Sequence, residues 1–230
     1  MPRRNRTKAS REDRAPSIVE TDTAETALFR TLDFFPSPPW SGRAAAEAIL
    51  ELCPDAKSVW EPACGEGHFA APMREYLPRV HATDVYDHGF GGQIDFLSDE
   101  ALGLPPCDFV ATNPPFRLAQ RFVERGLEVA RVGVVVLCRM AFWESEERQS
   151  LFDGPHPLTQ FRPFSERLNM CLGAWDPKAS IPSACGLFIW IKDAKPLPPK
   201  LIPYGTKDRL SKADDIRRFA KRAPAPLLDI

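Results

Sequence analysis

Asn113, Pro114, Pro115 and Phe116 are the residues whose types and order are best suited to chemistry. They close the apolar run CDFVATNPPF, residues 107–116. A carboxamide oxygen accepts hydrogen bonds, and so does a backbone carbonyl. Proline donates none and holds the residue before it extended. Asn113 and the Pro114 carbonyl therefore read as two fixed acceptors on a stiff turn. Phe116 offers a face on which a flat ring can stack. The combination suits a planar amino group carried by an aromatic base. Standing alone, the tetrapeptide would read as an ordinary helix-starting turn. The motifs upstream of it decide for function.

VWEPACGEGHF (59–69) reads as a strand, a loop of small residues and a helix start. Ala63, Gly65 and Gly67 allow a ligand to approach the backbone closely. The loop lacks the first glycine of a dinucleotide fingerprint and the Lys-Ser/Thr of a phosphate loop, so neither reading is supported. Asp84 ends the next strand, where an acid can accept both ribose hydroxyls of an adenosine. Asp95, after a third strand, can accept from an adenine amino group. The alternative is a tight turn with two surface acids. In this order, loop and acids read as an adenosine site. His68 reads equally as a contact to that ligand or as helix-start surface, and His81 and His88 read as structural.

These residues must be held by a regular scaffold. Strands are expected at 58–64, 79–86, 91–98, 107–113 and 133–140. Helices are expected at 41–52, 67–77 and 117–132, the first capped by Ser41 and the second running through Pro72. LTQFRPFSERL and CGLFIWIKD read as a closing strand pair with an irregular stretch, 169–183, between them. The alternation argues for a mostly parallel sheet with helices on both faces. Ligands bind such sheets at the carboxyl ends of the strands, where the loop, the acids and the Asn113 turn all fall. Residues 1–26 are polar and without period, and read as a disordered basic arm. Residues 27–195 form the expected domain, with 141–183 available as a small target-recognition region. Residues 196–230 read as a Pro-rich linker and a basic tail helix.

The chain has 230 residues, a formal net charge of −1 and 43% hydrophobic residues, ordinary for one soluble domain. No apolar run approaches a membrane span, and the basic N-terminus lacks the apolar core of a signal peptide, so a cytoplasmic protein is expected. The six cysteines are scattered without ligand spacing. They read as buried free thiols, and no metal is expected. Residues 1–14 hold six Lys/Arg against two acids, and residues 200–222 hold eight against three. Two basic ends on an acidic body suit a polyanion held by the ends, or two solvated tails.

EPACGEGH, ATDVYDHG, DFL and TNPPF resemble the successive motifs of S-adenosylmethionine-dependent amino-methyltransferases. The sequence is most similar to DNA adenine N6-methyltransferases of small phage or prophage type, over about residues 33–193. FFPSPPW (34–40) resembles an additional N-terminal motif of that group. The resemblance implies a Rossmann-like class I fold, with a mostly parallel seven-stranded sheet and an antiparallel last strand. It implies S-adenosylmethionine as cofactor and nucleic acid, DNA first, as partner. It places Glu61, Ala63, Cys64, Gly65 and Gly67 along the methionine and ribose region, Asp84 on the ribose, and Asp95 with Phe96 at the adenine. Pro38 and Trp40 would close over the methionine end. Asn113, Pro114, Pro115 and Phe116 would hold the target base. Arg139 at the end of the strong strand, and Trp175 and Lys178 in a Pro-bounded loop, are further candidate substrate contacts. After the motifs, 141–183 and the tail are what remains for target recognition, so strong sequence specificity is not expected. The same chemistry on RNA adenine, on cytosine N4 or on a protein glutamine, and a silent nucleic-acid-binding module, are the competing readings.

Overall fold

The computed structural model describes residues 23–179 and 182–221. Most of the expected basic arm and the last residues of the tail lie outside that range. Seven strands form one sheet: β1 (Ser58–Glu61), β2 (Arg79–Asp84), β3 (Gly92–Gln93), β4 (Phe109–Thr112), β5 (Gly133–Arg139), β6 (Gln160–Pro163) and, last in the chain, β9 (Cys185–Ile191). Their order is β3-β2-β1-β4-β5-β9-β6, parallel from β3 to β5, with β9 antiparallel to both neighbours. This is the mostly parallel sheet with an antiparallel last strand that was expected. A short hairpin, β7 (Leu168–Asn169) with β8 (Pro182–Ser183), lies in the stretch read as irregular.

The central strands are apolar on both faces because both faces are covered. Phe109, Ala111, Val135, Leu137, Leu187 and Ile189 face one core, shared with α2 (Pro39–Leu52). Val110, Val134, Val136, Phe188 and Trp190 alternate with them and face the other, shared with α4 (Ala119–Val129). The strand period of two thus divides one run of residues between two cores. No described helix is long and apolar enough to cross a membrane. All six cysteines are unpaired, and five are buried.

Several elements differ from expectation for local reasons. Helix α1 (Ala24–Leu32) begins inside the stretch read as disordered, because the Thr23 hydroxyl accepts the Thr26 N–H and caps it. Helix α2 starts at Pro39, whose missing N–H suits the first helical turn, and the Ser41 hydroxyl donates to the Pro38 carbonyl instead of capping. Helix α3 spans only Ala70–Met73, and tighter three-residue turns follow Pro72. Strand β3 stops at Gln93, because the Asp95 carboxylate accepts the Leu97 N–H and turns the chain. Helix α5 (Gln149–Asp153) is a single short turn before β6.

Residues 196–221 are packed on the domain rather than trailing from it. Leu197, Lys200 and Ile202 donate backbone N–H groups to Thr159, Phe161 and Pro163 along the outer edge of β6. The prolines between them need no partner, so a segment that reads as a linker suits a sheet edge. The expected basic helix is two short ones, α6 (Thr206–Leu210) and α7 (Ala213–Phe219). Arg43 of α2 holds them. Its guanidinium, 1% exposed, bonds both Asp215 oxygens at 2.7 Å, both Glu75 oxygens at 2.8 Å and the Leu210 carbonyl at 2.9 Å. Every one of its N–H groups is used.

Removing Arg43 strands a buried Asp215. Arg43→Met is therefore expected to cost about 3–5 kcal/mol in urea unfolding. The Arg43 hydrogen bonds hold the Glu75 carboxyl down at about 2 from an ordinary 4.5. A depressed folded value gives stability that is complete above about pH 4.5 and lost as pH falls through about 2. Between those pH values Glu75→Gln is expected to lose less stability than the unaltered chain, measured by urea midpoints.

Candidate active site

A cavity of about 300 Å³ opens at the carboxyl ends of β1, β2 and β4. Its walls are the segment 32–37, the loop Pro62–Gly65 with His68 and Phe69, the acids Asp84 and Asp95, and the turn Asn113–Phe116. Of the expected residues, Ala63, Cys64, Gly65, Asp84, Asp95, Phe96, Asn113, Pro114, Pro115 and Phe116 line this one space.

The loop is fixed from β2. Cys64 donates its N–H to the Thr83 carbonyl at 2.9 Å, and Gly65 donates to Asp84 Oδ2 at 2.8 Å. Asp84 Oδ1 accepts the Tyr86 N–H at 3.1 Å. The acid thus shapes the loop, and each oxygen keeps acceptor capacity. Gly65 (φ +49°) and Gly67 (φ +87°) adopt left-handed backbone that other residues rarely adopt. The Phe34 ring fills the place of a Gly65 side chain, and Phe90 fills that of Gly67. His88 stacks on Phe34 with ring centroids 4.4 Å apart. Burial pushes the Cys64 thiol up, so it is an inert wall.

Six expected contacts lie elsewhere. Gly67 faces Phe90, not the cavity. Glu61 is fully buried at the end of β1, beneath the loop, where Oε1 accepts the Ala63 N–H at 3.3 Å and burial raises the carboxyl well above its usual range. Pro38 precedes α2 and is buried, and Trp40 packs edge-on against Phe164 in the core, centroids 5.3 Å apart. Trp175 is buried with Ala71 and Phe219, under the C-terminal segment. Lys178 is exposed in a turn whose N–H bonds Asp176. Trp40 and Trp175 are core because their partners, distant in sequence, supply apolar surface for them. Arg139 is exposed beside the turn, its guanidinium 4.6 Å from the Phe116 ring centre and 5.5 Å from that of Phe35.

Phe34, Phe35, Ser37, Val85, Leu97, Phe122 and Arg121 are wall residues that motif reading passed over. Within FFPSPPW the wall is made by the residues before Pro38, while the rest turns into α2.

Asn113 donates Nδ2 to the Phe35 carbonyl at 2.8 Å. A carbonyl can only accept, so the amide orientation is fixed and Oδ1 is left as an acceptor. Oδ1 is buried without a partner. It has company on the cavity wall: Ser37 Oγ and His68 Nδ1 are also buried and unpartnered among the described residues, whereas His156 Nδ1, likewise unpartnered, lies away from it. At the strand ends beneath, the Thr112 hydroxyl serves the Glu61 carboxyl. An unmade buried hydrogen bond costs about 1–3 kcal/mol. Such a concentration suits a polar ligand that would complete the bonding.

The fold is the Rossmann-like one found in methyltransferases. No family model matches the chain, and no curated protein matches it. Among solved structures, a protein assigned as an RNA methyltransferase from Pyrococcus horikoshii superposes with TM-score 0.51 and 15% identity, over 74% of this chain and 98% of that one. The methyltransferase subunit of a type I restriction-modification system from Streptococcus thermophilus gives TM-score 0.51 and 13% identity, over 74% of this chain and 48% of that one. At such identities the likeness establishes the fold, and the site must carry the function.

Asp84→Ala removes the acceptor that holds Gly65. The loop is expected to loosen and adenosine-ligand affinity to fall at least tenfold, read by isothermal titration, with a melting-temperature loss of only a few degrees.

Proposed function

We propose that this chain is an S-adenosylmethionine-dependent methyltransferase acting on the exocyclic N6 amino group of adenine in DNA. The observation that carries the reading is the Asn113 carboxamide. Its nitrogen is occupied by Phe35, and its buried oxygen is free on a cavity wall beside Pro114 and Phe116. The Pro114 carbonyl accepts none of the hydrogen bonds found among the described residues. Two acceptors and a ring are what an aromatic amine requires.

The cofactor fits the other residues of the cavity. Asp84 and Asp95 are acceptors for ribose hydroxyls and an adenine amino group, Phe96 and Leu97 give an apolar slot, and the unpartnered Ser37 Oγ and His68 Nδ1 are polar partners for an amino-acid end. When bound, the cofactor supplies an electrophilic methyl group on a sulfonium. The lone pair of an aromatic amine is delocalised into its ring and is a poor nucleophile. Asn113 Oδ1 and the Pro114 carbonyl, accepting its two N–H groups, favour a tetrahedral nitrogen and stabilise the charge that develops on it. Phe116 stacks on the base and offsets part of the few kcal/mol that base flipping costs in a duplex. Arg117, Arg121 and Arg139 are exposed around the same turn and suit phosphates, which favours nucleic acid over a protein glutamine.

The test offers tritium-labelled S-adenosylmethionine with duplex DNA, single-stranded DNA and total RNA, and identifies the labelled nucleoside by mass spectrometry. Label in N6-methyladenine from DNA is expected. Label confined to RNA would move the substrate to the runner-up, and no label in any nucleic acid would sink the reading. Asn113→Ala is expected to keep cofactor affinity within about twofold and to lose about 10²–10³ in turnover. Full turnover in that variant would remove Asn113 from the chemistry.

A further inference from the structure

His68 is 3% exposed and lies on the cavity wall, in the turn between the glycine loop and α3. Its Nε2 is 3.1 Å from the backbone carbonyl of Phe219, the last residue of α7. That carbonyl can only accept, so Nε2 carries the proton and Nδ1 of the neutral ring is a bare acceptor. Burial lowers the ring to about 4, so it is neutral at pH 7. Nδ1 is buried and finds no partner among the described residues. The ring is held on both sides, tilted against Phe219 at 5.0 Å and edge-on to Trp175 at 6.4 Å. An unpartnered ring nitrogen in a residue of the cavity wall is more than packing requires.

We infer that His68 Nδ1 accepts a hydrogen bond from the α-ammonium of the cofactor's amino-acid end, and that the Phe219 carbonyl fixes the tautomer that makes this possible. The inference rests on the cofactor reading above and adds a residue and a segment to it. The C-terminal residues become a positioning part of the site. Their attachment is built for that: Lys221 pairs with Glu66 of the glycine loop, and its N–H bonds the Trp175 carbonyl at 3.0 Å. The Ser37 hydroxyl, on the wall of the same cavity and also buried and unpartnered, is a donor suited to the adjoining carboxylate.

Two ligands separate this role from a structural one. S-adenosylhomocysteine carries the amino-acid end; 5′-methylthioadenosine shares the adenosine and sulfur but lacks it. Two substitutions separate the two nitrogens. The His68→Gln amide can still donate to Phe219 but offers nothing at Nδ1. The His68→Asn amide can place an acceptor near Nδ1 but cannot reach Phe219. By isothermal titration, His68→Gln is expected to lose about tenfold or more for S-adenosylhomocysteine, the scale of a hydrogen bond to a charged group, and less than about twofold for 5′-methylthioadenosine. His68→Asn is expected to recover part of that selective loss. Unchanged affinity in His68→Gln, or equal losses for both ligands, overturns the inference and leaves the cofactor reading standing. Failure of the unaltered protein to bind either ligand overturns both.

Discussion

The hydrogen bond from the Asn113 carboxamide to the Phe35 carbonyl joins two segments 78 residues apart and sets the site between them. It orients the amide, and it also fastens the strap that roofs the cavity. The strap has two further ties. Asp33 accepts the Arg117 N–H at 3.1 Å, and the Phe34 carbonyl accepts the Gly173 N–H at 2.8 Å. Phe34 then lies against Gly65, and Phe35 against Phe116 with centroids 5.9 Å apart. The glycine loop and the Asn113 turn, carried by different strands, are thus joined through one short piece of chain. Its prolines keep it extended without needing donors.

The sheet was legible because β4 and β5 are mostly apolar, with valines at 110 and 134–136, and because the acids at 84 and 95 fall at strand ends. Asn113 and Gly65 were legible for the same reason: each terminates an apolar run, where a parallel sheet presents ligands. Trp40 and Trp175 were not. Both belong to apolar clusters whose other members, Phe164 and Phe219, lie far along the chain, and no local pattern reports such a contact. Glu61 was placed in the right loop but at the wrong depth, since one residue along a strand end separates wall from floor. The tail was misjudged because prolines at 196, 198, 199 and 203 read as a linker when no partner is in view. Beside the bare edge of β6 they are compatible with pairing, since only the residues between them need to donate.

The site also divides its polar atoms into two kinds. Asp84, Cys64 and the Asn113 nitrogen are engaged in holding the cavity's own shape. Ser37 Oγ, His68 Nδ1 and Asn113 Oδ1 are buried and without partners among the described residues. Backbone and side-chain bonds in the first group lock the positions of the second before any ligand arrives. A cavity organised this way presents its acceptors at little ordering cost on binding, which is how binding energy is kept for selectivity.

The Arg43 cluster has a consequence for the order in which the protein can be made. Arg43 and Asp215 are 172 residues apart. At about 5–20 residues per second, a nascent chain waits on the order of 10–30 s between the two. Through that interval α2 carries a guanidinium with nothing but Glu75 and water to meet it, so its surface stays wet and its seat under α6 and α7 stays open. Sealing of this flank waits for α6 and α7, and a chain that ends before residue 215 would leave it open.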